Sequence, residues 1–118
     1  MSELTRRILP QRRRCETFNL NFGGLARDYA ITVGYYDDGS FGEVFITGAK
    51  SGEQIEAVAR DGAVLISLAL QHGVSIQTLA GAITRNAEGE PQTVVGAVLD
   101  YLLQPPQEQS NEPSATEP

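Results

Sequence analysis

The sequence predicts an α+β fold, with a three-stranded antiparallel β-meander packed against about three helices. Two segments rich in aromatic and β-branched residues flank an Asp-Gly pair, a pattern typical of a β-hairpin. A segment before them alternates apolar and polar residues, as a strand with one buried face does. Farther along, apolar residues recur every three or four positions, which indicates helices. The 118 residues have the size of one domain, so we expect one hydrophobic core.

The three strands are predicted from their side-chain patterns. The first begins at Thr17 and points its apolar residues, from Phe18 to Phe22, to one side. The second covers residues 29–36, and the third covers residues 41–47. Residues 37–40 form the turn between them, because glycine accepts a positive φ. The alternation in the third strand leaves open which of its faces is buried.

The long central helix is predicted from about Glu53 to His72. Ser51 and Gln54 match a capping box at its start, and Gly73 is a natural stop at its end. Residues 63–70 are apolar nearly all round. We therefore expect this helix to be central.

Two shorter helices follow, each with a candidate N-cap. Ser75 precedes a helix that we expect to extend to Ile83, and Thr93 precedes a third helix that ends before Pro105. Residues 86–92 between them form a turn-rich loop.

The two ends differ from the body in composition, which divides the chain into a basic arm (1–14), an α+β domain (15–103) and a polar, disordered tail (104–118). The arm has five arginines and one acidic residue, Glu3, and therefore a net charge of about +4. The rest of the chain has a net charge of about −10, which gives −6 in total. Such an arm suits a phosphate or an acidic protein surface, or else it is solvated. We expect residues 1–9 and 104–118 to be dispensable for folding.

Few residues could do chemistry. Cys15 is the single cysteine and His72 the single histidine, so neither a disulfide nor a four-ligand zinc site can form within the chain. Ser67, His72 and Asp100 supply the residue types of a hydrolase triad, but Ser67 lacks the G-x-S-x-G context. We therefore expect no catalytic residue, no metal and no cofactor bound by this chain. Without an apolar span or an export signal, the cytoplasm is the expected compartment and no membrane contact is expected.

Aromatic residues surround the predicted hairpin beside the arginines. Such rings can stack on bases, or they can serve sheet packing. The candidate contacts for an anion or a protein partner are Arg6, Arg7, Arg12, Arg13, Arg14, Tyr35 and Tyr36.

Several segments together resemble short stand-alone TSCPD-domain proteins. They are residues 7–13 (RILPQRR), 33–39 (VGYYDDG), 42–46 (GEVFI), 67–74 (SLALQHGV) and 96–100 (GAVLD). The resemblance spans roughly residues 6–102. Further residues that fit the resemblance are Thr17-Phe18, Gly23-Gly24-Leu25, Tyr29, Lys50-Ser51-Gly52, Ala59-Arg60-Asp61-Gly62-Ala63, Leu79 and Gly89-Glu90-Pro91.

This resemblance implies a link to adenosylcobalamin-dependent (class II) ribonucleotide reductases, which carry a TSCPD domain at their C-terminal end. It implies an accessory or regulatory domain associated with ribonucleoside-diphosphate reductase, in deoxyribonucleotide synthesis. The implied partner is the large reductase subunit or a nucleotide, and adenosylcobalamin belongs to that reductase. Long reductases often have cysteines in this domain, whereas residues 19–24 here contain none. Two alternatives stay open: a nucleic-acid-binding module and a homo-oligomeric interaction module.

Overall fold

A computed structural model describes residues 5–23, 28–48 and 54–104. It confirms the α+β class, with three antiparallel strands in the order β1-β2-β3 followed by three helices. Ser51 of the expected capping box and residues 105–118 of the expected tail lie outside the described residues. The elements are β1 (Cys15–Asn21), β2 (Asp28–Tyr35), β3 (Phe41–Gly48), α1 (Gln54–Gln71), α2 (Ile76–Ala80) and α3 (Val94–Leu103).

The β2–β3 connection is the predicted hairpin. Gly39 has φ 88°, a conformation that favours glycine, and its N–H donates to Tyr36 O at 2.9 Å. The two strands pair in a constant register from Tyr29 opposite Gly48 to Gly34 opposite Glu43. At the next pair the register shifts by one residue, and Tyr35 lies opposite Phe41. The extra residue on β3 forms a bulge at the hairpin end.

The core lies on one face of the sheet. Ile31 and Val33 of β2 and Val44 and Ile46 of β3 are all at most 1% exposed. For β3, the face with Val44 and Ile46 is thus the buried one, and Phe45 points outward. The helices close this face with Ala59, Ala63, Ile66 and Leu70 from α1 and with Val98, Leu99 and Leu102 from α3.

The predicted caps of the two shorter helices are confirmed. Ser75 Oγ accepts from Thr78 N at 3.1 Å, and Thr93 Oγ accepts from Gly96 N at 3.1 Å. The helix α2 is shorter than expected. It ends at Ala80, and Ile83 lies beyond it. Ile83 instead packs against α3 beside Gly96.

The expectation that α1 is central is wrong. One face of the helix packs on β3, whereas Val64 is 53% and Leu65 is 67% exposed on the outer side. The physical reason is that the helices form a single layer on a three-stranded sheet, so nothing in the described residues lies beyond α1. Its exposed apolar residues are Ile55, Val58, Val64, Leu65 and Leu68.

Side chains of α1 also cover the outer edge of β3. Ser67 Oγ accepts from Val44 N at 2.8 Å and lies 3.0 Å from Val44 O and 2.9 Å from Ala63 O, two carbonyls that share its proton. Gln71 Nε2 donates to Gly42 O at 3.0 Å. The backbone groups that a fourth strand would need at these positions are therefore occupied.

Candidate functional site

The basic arm is bound to the hairpin end of the body. Arg7 N donates to Gln71 O at 2.7 Å, and Tyr36 Oη donates to Arg7 O at 2.8 Å. Leu9 packs over Gly42, where a side chain on the bulge would collide with it. The alternative of a solvated arm, left open by the sequence, is thus wrong for these residues. The arm provides hydrogen-bond partners for the carbonyl at the C-terminal end of α1 and for the buried hydroxyl of Tyr36, which would otherwise lack them.

Gln71 joins the arm, α1 and β3. Its side chain is buried, with 4% of the residue exposed. Its Oε1 accepts from Arg6 Nε at 2.6 Å while its Nε2 donates to Gly42 O at 3.0 Å. Sequence analysis missed this residue, because nothing local distinguishes it from any polar residue near a helix end.

Arg7 and Tyr36 form a second contact between arm and hairpin. The guanidinium of Arg7 lies 3.7 Å from the centre of the Tyr36 ring, and its Nη2 donates to Asp38 Oδ2 at 3.0 Å. Hydrogen bonds from Ser40, and then the one from Arg7, lower the pKa of Asp38 to about 2. Tyr36 itself is 5% exposed, so its ring belongs to the interior of the protein.

Arg13 crosses to the outer face of the sheet and pairs with Glu43. Its Nε lies 2.6 Å from Glu43 Oε2, and Glu43 is only 7% exposed. The hydrogen bond to Glu43 raises the pKa of Arg13. Arg13 also donates to Pro10 O, which fixes the path of the arm just before β1. A buried carboxylate needs such a partner, so Arg13 serves the fold.

Arg12 and Arg14 are the arm arginines that remain directed to solvent. Arg14 lies 4.1 Å from the centre of the half-buried Tyr35 ring, and Tyr35 Oη donates to Glu16 Oε1 at 2.8 Å. Burial, and then the hydrogen bond to Glu16, raises the pKa of Tyr35. Arg12 is exposed and has no ion pair with the residues that the structure describes.

A groove lies between α1 and β3, which we name the α1–β3 groove. Its volume is about 300 Å³ and its walls are largely apolar. Phe45 on one wall and Val64 on the other are each about half exposed. Arg6 and Arg60 provide cationic groups in its lining, and Arg60 also pairs with Glu56. The other lining residues are Glu43, Val44, Ile46, Thr47, Ala63, Ser67, Leu68 and Gln71.

Sequence reasoning did not find this groove, although one signal was available. Val64 and Leu68 are one helical turn apart, and Phe45 has the strand parity opposite to Val44 and Ile46. Once the buried side of each element is known, these three apolar residues must be exposed.

The residue types of a hydrolase triad are not brought together. Ser67 binds the edge of β3, and Asp100 accepts two hydrogen bonds from Arg85 at 2.8 and 2.9 Å. Asp100, as a hydrogen-bond acceptor, also raises the pKa of Arg85. The His72 ring lies 2.8 Å from Leu68 O, at the C-terminal end of α1.

Across residues 5–23, 28–48 and 54–104, the structure shows no group of three or more histidine, cysteine or acidic residues able to hold a metal. Cys15 is exposed. None of the described helices combines the length and the apolar character needed to cross a membrane.

Comparison with known proteins identifies the domain. The TSCPD domain family matches residues 4–104, which is most of the chain. A vitamin B12-dependent ribonucleotide reductase of Bradyrhizobium diazoefficiens is 34% identical over 106 residues, and one of Agrobacterium fabrum is 35% identical over 106 residues. A third, of Rhodopirellula baltica, is 27% identical over 104 residues. No solved structure matches significantly.

The matches cover 82% to 83% of this chain but only 8% to 10% of each reductase. The similarity therefore concerns a small segment of those enzymes. The chain belongs to the TSCPD domain family and is related to a segment of the vitamin B12-dependent ribonucleotide reductases.

Proposed function

We propose that this chain is an accessory domain that binds a vitamin B12-dependent ribonucleotide reductase. The observation that carries the proposal is the exposed apolar surface that Phe45, Val64 and Leu68 form at the α1–β3 groove, in a chain that is similar to a segment of such reductases. Contiguous apolar surface of this kind marks interaction sites in soluble domains.

The α1–β3 groove defines what the partner must offer. Phe45, Val64 and Leu68 give it apolar walls, and Arg6, which donates to the amide of Gln71, gives it positive charge. A partner segment with apolar side chains and a neighbouring carboxylate fits this lining. In the reductases a related segment is part of one long chain, so the same contact could form there within one polypeptide.

The two solvent-directed arginines supply a second contact. Arg12 and Arg14, with the ring of Tyr35 beside them, would meet acidic groups of the reductase or the phosphates of its nucleotide. Nucleic acid is the weaker alternative, because Arg7 and Arg13 already pair with carboxylates and the rest of the chain carries an excess of negative charge.

The chemistry of reduction would come from the partner. The single cysteine, Cys15, cannot form the dithiol that such a reduction needs, and the residues described here offer no cluster of metal ligands. We therefore assign adenosylcobalamin and the reducing thiols to the reductase. The role of this chain would be to bind and to influence that enzyme, in the cytoplasm.

The test is a binding titration against a B12-dependent reductase that lacks its own TSCPD segment. Val64→Glu places a charge in the groove and should weaken binding by at least about tenfold, about 1.4 kcal/mol. Val58→Glu is the matched control, because Val58 has similar exposure (56% against 53%) on the same helix. The two side chains point about 120° apart around the helix axis, so the control should bind like wild type.

Two further measurements sharpen this test. A reductase that keeps its own TSCPD segment should bind more weakly, since its site is already covered. Replacing both Arg12 and Arg14 with alanine should flatten the dependence of binding on salt. Equal binding of the Val64→Glu and Val58→Glu variants would overturn the groove as the contact, and no binding by wild type would overturn the function.

A further inference from the structure

The free edge of β1 has a row of backbone groups without strand partners. Tyr35 N donates to Arg14 O at 3.0 Å, so Arg14 faces β2. By the alternation of an antiparallel ladder, Glu16, Phe18 and Leu20 also face β2. The N–H and C=O groups of the intervening residues must then point away from the sheet. These residues are Cys15, Thr17, Asn19 and Asn21.

The two edges of the sheet differ sharply. The edge of β3 is covered by Ser67 and Gln71 of α1, as described above. The β1 edge has no such cover among the described residues, and β1 itself contains no lysine, arginine or proline. Those residues are the usual protection of an exposed edge strand, so its composition permits pairing with another strand.

An incompletely buried apolar row, formed by Phe18, Leu20 and Phe22, lies beside this edge on the inner face. Phe18 stacks on Tyr101 of α3, with ring centres 4.3 Å apart, and Leu20 and Phe22 are likewise only half buried. A cavity of about 360 Å³ opens here, lined mainly by Leu20, Phe22, Pro91 and other residues of the α3 side. The core thus extends to the β1 edge and remains open there.

We propose that the β1 edge pairs with the β1 edge of a second copy of this chain, as an antiparallel extension of the sheet about a twofold axis. A twofold at Phe18 uses the whole strand. It places Thr17 opposite Asn19 of the copy and Cys15 opposite Asn21, and about eight backbone hydrogen bonds can form.

The side chains in this register are compatible with each other. Glu16, the only charged residue of β1, comes opposite Leu20 of the copy, so no like charges face each other. Phe18 meets its own symmetry mate at a closely spaced position of the ladder. This contact covers the half-buried Phe18 rings of both copies, which is why a second copy fits the edge.

The first test measures the mass of the purified chain by sedimentation equilibrium from micromolar to near-millimolar concentration. Wild type should reach the dimer mass. The double substitution Thr17→Lys with Asn19→Lys should remain monomeric, because each lysine would face a lysine of the copy. Gln77→Lys is the control at an exposed position of α2, outside the sheet and the α1–β3 groove, and should still dimerise.

The second test reads the register through cysteines, in a Cys15→Ser background. A mixture of the Thr17→Cys and Asn19→Cys variants should form a disulfide-linked pair under mild oxidation. Each variant alone should not, since like positions lie too far apart in the proposed register. Crosslinking of either variant with itself would overturn this register.

These experiments use no reductase, so they are independent of the proposed function. A wild-type chain that stays monomeric at every concentration would overturn the proposal. A dimer that survives the double lysine substitution would also overturn it and would point to another surface, such as the α1–β3 groove. In a separate titration with a reductase, loss of binding on the double lysine substitution, with a wild type that is monomeric alone, would assign the edge to the reductase and refute the self-pairing.

Discussion

Replacing Gln71 with leucine tests whether one buried amide holds the arm, the helix α1 and the strand β3 together. The substitution keeps a side chain of similar volume and removes both polar contacts. Gly42 O then loses its donor at 3.0 Å, and Arg6 Nε loses its acceptor at 2.6 Å. The backbone contact between Arg7 N and Gln71 O is not removed directly.

The expected cost follows from the burial of these groups. A buried carbonyl left without a donor, here Gly42 O, costs about 1–3 kcal/mol. Arg6 is exposed enough to regain water, so its loss adds less. The leucine returns part of the cost through apolar burial, about 1 kcal/mol. We expect Gln71→Leu to lower the free energy of unfolding by about 2 kcal/mol, which is roughly 10 °C in melting temperature for a domain of this size.

The assay is urea and thermal unfolding followed by circular dichroism. Gln77→Leu, at an exposed position of α2, is the matched control and should stay within about 0.5 kcal/mol of wild type. Arg6→Ala completes a double-mutant cycle: its effect should largely vanish in the Gln71→Leu background. If Gln71→Leu is as stable as the Gln77→Leu control, the network contributes nothing and the reasoning is refuted.

Three further predictions concern other parts of the domain. Ile66 is 5% exposed, so Ile66→Asp should abolish cooperative melting, whereas Leu65→Asp, at a position 67% exposed, should melt like wild type. Because Arg7 and Leu9 contact the body, a chain lacking residues 1–9 should melt at a lower temperature than the full chain, contrary to the expectation that these residues are dispensable; equal melting would show that the arm adds no stability. The pKa of Asp38 lies at about 2 instead of 3.8, so its carboxylate contributes stability that is present above about pH 3.8 and lost as the pH falls through about 2. A carboxyl titration by NMR should show this midpoint, and Ser40→Ala should raise it; a midpoint near 3.8 in wild type would contradict the hydrogen bonds described.

Features that depend on neighbouring residues were predictable from the sequence. Ser75 and Thr93 cap their helices because a short side chain can reach the backbone three residues ahead. Gly39 marks the hairpin because few other residues accept its φ. Each of these signals lies within a few residues of the structure that it specifies.

Features that depend on distant residues were not predictable. Gln71 and Arg6 are 65 positions apart, and neither has a local pattern that announces the other. The exposure of Val64 and Leu65 depends on the number of layers in the fold, which helical periodicity does not report. The contacts of the five arm arginines likewise depended on which carboxylates and rings the fold placed beside them, such as Glu43 and Tyr36.

The cover that Ser67 and Gln71 place on the β3 edge also limits how far the sheet can polymerise. A sheet with two open edges can add strands on both sides and grow into a filament. Here the only edge of the described sheet that is open lies at β1, so pairing two copies consumes both open edges. The result is a closed, six-stranded assembly with a helix sealing each end. Ser67 and Gln71 therefore protect this edge against further strand pairing as well as packing the helix, and loss of both would free its backbone groups for another strand.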